Sequence, residues 1–141
     1  MTSKKNILSI ETSSNICGIS FISKGVCIDT IEENSKEHIV AGAEELLMEI
    51  LSKNKINTED IASIFFSTTK DLNAEYPAVA ARKQELLNVA LFCTHEMDIP
   101  GGLQKCLRIL LHVNTEQGYN DVKHIYLKGA KILRPDLAEN I

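Results

Sequence analysis

The sequence predicts a mixed α/β (α+β) domain built around one sheet. Three observations indicate this fold class: the chain has 141 residues, it contains several apolar runs of strand length, and two segments with helical spacing lie between those runs. A chain of this length can bury about two-thirds of its unfolded surface, enough for one hydrophobic core. It is too short for a large multidomain enzyme.

The first thirty residues are predicted to form a β-meander. Three short and mainly apolar runs occur there, at residues 7–10, 16–22 and 26–31. The segments that separate them, residues 12–15 and 23–25, are rich in Ser, Thr, Asn and Gly, which is typical of turns between strands.

A helix, a strand and a second helix are predicted next. Asn34 followed three positions later by Glu37 is a variant of the capping box, and apolar residues then recur at helical spacing, which predicts a helix over residues 35–53. Residues 61–67 have the composition of a strand. Pro77 is well placed to open a short Ala-rich helix, because proline lacks only an N–H group that the first helical turn leaves unpaired.

Three further runs of strand length complete the predicted order, at residues 87–93, 106–113 and 124–128. The full order is a β-meander, then α, β, α, β, β and β, as expected for helices packed against one sheet. The loop after residue 93 carries much of the polar chemistry of the chain.

The charge pattern argues against nucleic acid and membrane as partners. Fifteen basic and 19 acidic residues give a net charge of −4, and they are scattered without a Lys/Arg block. No apolar run reaches the roughly 18 to 20 residues that a membrane helix needs. The apolar stretch near the amino terminus stops at Glu11, unlike a signal peptide. A cytoplasmic location is therefore expected.

The cysteines are interpreted as reduced, buried thiols. They lie in or beside apolar runs, without a C-x-x-C pair, at Cys17, Cys27, Cys93 and Cys106. Neither a disulfide framework nor a structural zinc is indicated.

Several polar groups crowd the end of the strand predicted at residues 87–93, namely Cys93, His95, Glu96 and Asp98. Zinc needs three or four ligands, and the other histidines have no close spacing to this cluster, so a metal site is not expected. A nucleophilic Cys93/His95 pair is also weakly supported, because residues two apart on a strand share a face without necessarily meeting. No cofactor is predicted.

Arginine is rare in this chain. Of 15 cations, 12 are lysine and only three are arginine, namely Arg82, Arg108 and Arg134. Arginine's rigid five-donor fork is the better device for gripping a carboxylate or phosphate. Local sequence leaves open whether Arg108 faces the surface or a pocket. It also leaves Tyr76 and Tyr126 as either packing aromatics or ligand contacts.

Five blocks, residues 71–78, 93–103, 106–108, 124–127 and 133–137, follow one another in the order of a known family. They resemble the monofunctional chorismate mutases of the trimeric, pseudo-α/β-barrel class, and the resemblance runs from about residue 30 to residue 137. It implies conversion of chorismate to prephenate, without proton transfer, covalent intermediate or metal. Catalysis then depends on holding a compact conformer and stabilising the charge that develops as the ether bond breaks.

The resemblance also implies roles for individual residues. Arg108 would contact the ether oxygen and a substrate carboxylate. Glu96 and the backbone near Cys93 would bind the substrate hydroxyl, and Tyr126 would bind the side-chain carboxylate.

Four further residues are implied to surround the same substrate. Arg82 and Tyr76 would approach from the adjacent subunit, so that a homotrimer has its active sites at subunit interfaces. Leu133 with Arg134 would form a tail that closes over the pocket.

The sequence departs from the family at its start. The family opens with a strand that carries an Arg-Gly-Ala-Thr motif, whose arginine grips the substrate. One alignment places Val26 at that position and another places Glu11 at or near it, while the nearest cation is Lys24. A catalytically impaired homologue or hybrid that acts as a binding module is therefore the alternative to a working mutase.

We expect two parts in the chain: an amino-terminal β-hairpin segment of uncertain origin at residues 1–29 and a chorismate mutase domain at residues 30–141. Residues 6–39 also resemble the opening hairpin of the bacterial threonylcarbamoyl-adenosine tRNA-modification partner protein. That protein belongs to the actin/Hsp70 superfold, which needs a second half that this chain is too short to contain. A hybrid is the simpler interpretation.

Overall fold

The computed structural model describes residues 11–12, 15–16 and 23–138. The elements in this part of the chain are β1 (Glu11–Thr12), β2 (Asn15–Ile16), β3 (Ser23–Thr30), α1 (Lys36–Lys53), β4 (Ile61–Thr68), α2 (Val79–Lys83), β5 (Ala90–His95), β6 (Cys106–Val113) and α3 (Pro135–Ala138). Short 3-10 turns lie at Thr58–Asp60, Tyr119–Asp121 and Lys128–Leu133. The predicted mixed α+β fold class is confirmed.

Four strands form one sheet in the order β3-β6-β4-β5. The inner strand β6 is antiparallel to both β3 and β4, whereas β4 and β5 are parallel. Parallel neighbours need a crossover connection, and the segment that contains α2 supplies it. None of the helices in the described ranges is long and apolar enough to cross a membrane.

The two faces of the sheet have different surroundings. Alternate residues of β6 face α1 and are buried, namely Leu107, Ile109 and Leu111, and they join Ile39, Leu46 and Ile50 of α1 in the core. The residues between them, including Arg108 and His112, face the other way and are only partly buried. On that face the rings of Phe65 and Phe92 lie 5.7 Å apart, with 37% and 56% of each residue exposed. In the described part of the chain, no helix covers this face around Arg108, Phe65 and Phe92, and we call it the bare face.

The helix predicted over residues 35–53 is confirmed as α1, but Ser35 caps it in place of Asn34. The Ser35 hydroxyl accepts a hydrogen bond from the backbone N–H of His38 at 3.2 Å. The Asn34 side chain instead accepts from the backbone N–H groups of Asn73 and Ala74. The prediction of the cap was wrong because a loop distant in sequence binds the Asn34 side chain.

The strands predicted at residues 61–67 and 106–113 are confirmed as β4 and β6, and the short helix predicted after Pro77 is confirmed as α2. The strand predicted at 87–93 begins later, at Ala90, and continues to His95. The reason is pairing: β5 exists only where it runs alongside β4, from Ala90 opposite Ser63 to His95 opposite Thr68.

Two other local predictions were wrong. Residues 23–25 are not a turn but the first part of β3, in which Ser23 pairs with His112 of β6. Residues 124–128 are not a strand, because only Tyr126 forms a β-bridge, to Ile28, and Lys128 has a φ of +49°. A positive φ ends an extended segment at that residue.

At the amino terminus, β1 and β2 form a two-stranded antiparallel hairpin in which Thr12 pairs with Asn15. The strand predicted at residues 7–10 lies outside the described residues, as do positions 17–22 of the strand predicted at 16–22. Much of the stretch that resembles the tRNA-modification partner protein is therefore not described.

Candidate active site

Arg108 lies on β6 and belongs to the bare face of the sheet. Its Nε atom lies 2.9 Å from Oε1 of Glu96, while 39% of the Arg108 side chain and 24% of the Glu96 side chain are exposed. Both of the paired atoms are buried. The exposed part of the Arg108 side chain therefore consists of atoms other than Nε. The Nε atom is buried and lies against Glu96.

The Arg108–Glu96 pair is close but imperfectly aligned. Although the two atoms are within ion-pair distance, neither makes a well-directed hydrogen bond to any group in the described ranges. The exposed 39% of the Arg108 side chain is the part that a polar ligand can contact.

Glu96 is held by the sheet. It is the first residue after β5, and its backbone N–H donates to the carbonyl oxygen of Thr68 at 2.8 Å, which continues the pairing of β5 with β4 by one residue.

Near the Arg108–Glu96 pair, burial raises the pKa of the Cys106 thiol to about 11, although the charge of Arg108 opposes this rise. Cys106 is therefore a neutral packing residue beside the pair and not a nucleophile.

Tyr126 is brought to the same face through Ile28. It forms a parallel bridge with Ile28 and is 5% exposed, within a cluster that includes Cys106 and Ala130. Ile28 is also the residue of β3 that lies opposite Arg108. Tyr126 and Arg108 therefore flank Ile28, and a single chain brings Arg108, Glu96 and Tyr126 together.

The two residues predicted to form a closing tail lie beyond Tyr126. Leu133 is 40% exposed, and Arg134 is exposed with hydrogen bonds from Nε and Nη2 to the carboxylate of Asp136 at 3.0 and 2.8 Å. Arg134 interacts electrostatically with Tyr126. The pKa of His124 is lowered mainly by burial of its ring and, to a smaller extent, by the charge of Arg134. The tail is thus next to Tyr126.

A second group forms around a cavity of about 440 Å³ whose lining includes Tyr76 and Cys93. Cys93 lies opposite the fully buried Phe66 of β4, so its side chain belongs to the face that packs on the helices. Burial raises the pKa of the Cys93 thiol, while a backbone hydrogen bond from Ala78 and the charge of Arg82 lower it. Cys93 therefore faces away from Arg108, near the charge of Arg82 and beside the cavity that Tyr76 also lines.

The polar residues predicted to crowd the end of the strand are divided between different surroundings, since Cys93 and His95 both line the cavity described above whereas Glu96 pairs with Arg108. Cys93 faces the core side, and the Nδ1 atom of His95 lies 3.2 Å from the Thr68 hydroxyl. Asp98 pairs instead with Lys70 at 2.5 Å. Within the described part of the chain, no three His, Cys, Asp or Glu side chains are grouped as metal ligands.

Two polar residues beside Arg108 were not predicted. Ser67 of β4 lies opposite Arg108, and Thr94 of β5 lies opposite Ser67, so all three belong to one row across the sheet. The local sequence around a single Ser or Thr in a strand does not show that it lies beside an arginine of another strand. Which residues lie side by side depends on strand order and register.

Comparisons with known proteins agree with the sequence resemblance. A family model described as "Chorismate mutase type I" matches residues 27–137. Chorismate mutase AroH of Bacillus subtilis (strain 168) is 36% identical over 110 residues, which are 77% of this chain and 87% of that protein. Chorismate mutase AroH of Thermus thermophilus is 38% identical over 109 residues, covering 77% and 89%.

A solved structure gives the same result. A chorismate mutase from Clostridium thermocellum superposes with a TM-score of 0.75 at 44% identity, covering 77% of this chain and 96% of that chain. The range matched by the family model includes both groups of candidate site residues, from Tyr76 to Arg134.

Proposed function

Since the chain belongs to the chorismate mutase type I family, we propose that its site around Arg108 converts chorismate to prephenate. The enzyme is an isomerase of aromatic amino-acid biosynthesis. The observation that carries the assignment of the site is the partly exposed guanidinium group of Arg108, which is paired with Glu96 and lies across Ile28 from Tyr126. The relatives that match are chorismate mutases, so the alternative of an impaired homologue is not favoured.

The reaction explains why a fixed cation is the central group. Within one molecule of chorismate, the ether C–O bond breaks as a new C–C bond forms, and no proton, electron or leaving group is released. Electron density moves onto the ether oxygen in the transition state. A permanently charged guanidinium group placed there stabilises the transition state more than the ground state.

The other residues of this group orient the substrate. Glu96 holds Nε of Arg108 through Oε1 and accepts a hydrogen bond from the substrate hydroxyl, while Tyr126 and the neighbouring Arg134 bind carboxylate. Holding the substrate in its compact conformer removes much of the entropy cost of reaching the transition state.

The complete site is formed between subunits of a homotrimer. Cys93, which lies near Arg82 and beside the cavity that Tyr76 lines, faces away from Arg108, and this arrangement supports a site that a second subunit completes. The exposed rings of Phe65 and Phe92 support an interface on the bare face, because exposed apolar patches mark association surfaces. Arg82 and Tyr76 of one protomer then complete the site of its neighbour, and Cys93 contributes through nearby backbone groups.

The test is an assay of the purified chain for loss of chorismate absorbance, with sedimentation of the same sample. We expect saturable turnover by a trimer. A stable monomer at micromolar concentration would contradict the composite site, and a trimer without turnover would favour the impaired homologue. The cytoplasmic location stays a prediction, which fractionation of expressing cells would test.

A further inference from the structure

An ionic network lies on the side of β3 away from Arg108. The Nζ atom of Lys128 lies 2.8 Å from Oε2 of Glu45 on α1 and 3.4 Å from Oδ2 of Asp29 on β3. The Asp29 side chain is fully buried, and a Cβ atom added to Gly42 of α1 would lie 3.8 Å from its Oδ2. Lys128 therefore connects the carboxyl-terminal segment to both β3 and α1.

Asp29 depends on this cation. Burial raises the pKa of its carboxyl group, against the opposing effect of the Lys128 charge, and Oδ1 has no hydrogen-bond partner among the described residues. A buried carboxylate that loses its only close cation becomes an uncompensated charge. Asp29 and Lys128 are consequently coupled, and each constrains the position of the other.

The backbone around Lys128 is hydrogen-bonded to the two residues of β3 that flank Asp29. The N–H group of Leu127 donates to the carbonyl oxygen of Ile28 at 2.9 Å, and the N–H group of Gly129 donates to the Thr30 hydroxyl at 3.0 Å. Between these two bonds, Lys128 has a φ of +49°, a conformation that L side chains rarely adopt. In this conformation the Lys128 side chain makes its ion pairs to Asp29 and Glu45.

The position of this network in the chain gives it a functional consequence. Tyr126 precedes Lys128 by two residues, and the turn Lys128–Leu133 leads directly to Arg134. The network touches neither Arg108 nor Glu96, which lie on the other face of the sheet.

We propose that Lys128, through its ion pairs with Asp29 and Glu45, is a positioning residue that holds Tyr126, and Arg134 through the intervening turn, in place to bind the substrate carboxylate. The proposal rests on the proposed function of the site. Lys128 itself does not touch the substrate. Loss of the Lys128 side chain affects substrate binding more than the chemical step. The reason is that Arg108, which stabilises the developing charge, is held by Glu96 and not by this network.

The test compares Lys128→Met with Lys131→Met, the same substitution at an exposed lysine of the same turn. For Lys128→Met we expect KM to rise about tenfold while kcat stays within about threefold of the parent. Lys131→Met should leave both within about twofold. Backbone amide exchange at Leu127 and Gly129 should accelerate in Lys128→Met only.

The double variant Asp29→Asn/Lys128→Met separates positioning from stability. It removes both charges, so most of the melting temperature lost in Lys128→Met should return, while KM should stay raised. Recovery of KM together with melting temperature, or an unchanged KM in a destabilised Lys128→Met protein, would overturn the proposal. If the parent has no turnover, the proposed function fails, and exchange at Leu127 and Gly129 still decides whether Lys128 holds the segment.

Discussion

At the scale of single residues, the charge of Arg108 is the property on which the proposed reaction depends. Its Nε atom is fixed by Glu96, whereas His95 is hydrogen-bonded to Thr68. Because the rearrangement releases no proton, a titrating base has no step to perform. The Cys93 thiol, whose pKa is raised by burial, is not an activated nucleophile either.

The first prediction compares Arg108→Ala with His95→Ala. Arg108→Ala should lower kcat by about a hundredfold to a thousandfold, since it removes the group that stabilises charge at the ether oxygen. His95→Ala should stay within about fivefold of the parent, because it removes a contact and not a reacting group. Loss of chorismate absorbance measures both. Equal losses in the two variants would exclude the electrostatic mechanism.

The second prediction concerns the cation that the family has in its first strand. The register of β3 pairs Val26 with Leu110, two residues along the sheet from the pair of Ile28 and Arg108. One charge-assisted contact is worth about 1.5 to 3 kcal/mol, so Val26→Arg should raise kcat/KM by about tenfold or more. Met48→Arg, on the exposed side of α1, is the control and should have no such effect. No gain from Val26→Arg would show that this position does not reach the substrate.

At the scale of elements, α1 and the sheet from β3 onward account for the described core. The largest cluster of buried side chains extends from Ile31 to Ile125. The segment of uncertain origin proposed at residues 1–29 ends within β3, whose residues from Ser23 pair with β6. The strand is therefore structurally part of the sheet.

The third prediction follows from this arrangement. Removal of residues 1–22 should leave a protein with a cooperative thermal transition, because β3, the Ser35 cap of α1 and the core all remain. Removal of residues 1–30 deletes β3 as well and should abolish that transition. Circular dichroism during heating measures both. Loss of cooperativity in the shorter deletion would show that the first 22 residues supply an indispensable part of the fold.

At the scale of the whole molecule, the two groups of site residues and the bare face of the sheet are the grounds for the proposed homotrimer. Phe65 is packed edge-on against His112, with ring centroids 5.4 Å apart, and it also contacts Phe92. These rings stand on the face that no helix of the described chain covers.

The fourth prediction tests this face with a matched pair of variants. Phe92 and Met48 are each 56% exposed, but Phe92 belongs to the bare face and Met48 to the outer side of α1. Phe92→Glu should dissociate the proposed trimer and abolish turnover, because it would place a charge in the proposed interface. Met48→Glu should leave sedimentation and activity unchanged. If both variants were monomers, or if neither were, the result would argue against an interface on this face.

The sequence by itself was sufficient for elements whose signal is local. Helix α1 follows from the spacing of its apolar residues, and β6 follows from a mainly apolar run that is long enough to be a strand. Arg108 was identified as a candidate because arginine is rare in this chain, and its family role followed from blocks of residues in a recognisable order.

Only the tertiary structure decided the features that depend on partners distant in sequence. The start of β5 depends on β4, the role of Asn34 on the loop at residues 73–74, and the single bridge at Tyr126 on Ile28. Separation of Cys93 from Arg108 depends on strand register, and the network of Lys128 with Asp29 joins residues 99 positions apart. Such contacts form when the chain closes long loops to bury its core, so no local window of sequence contains them.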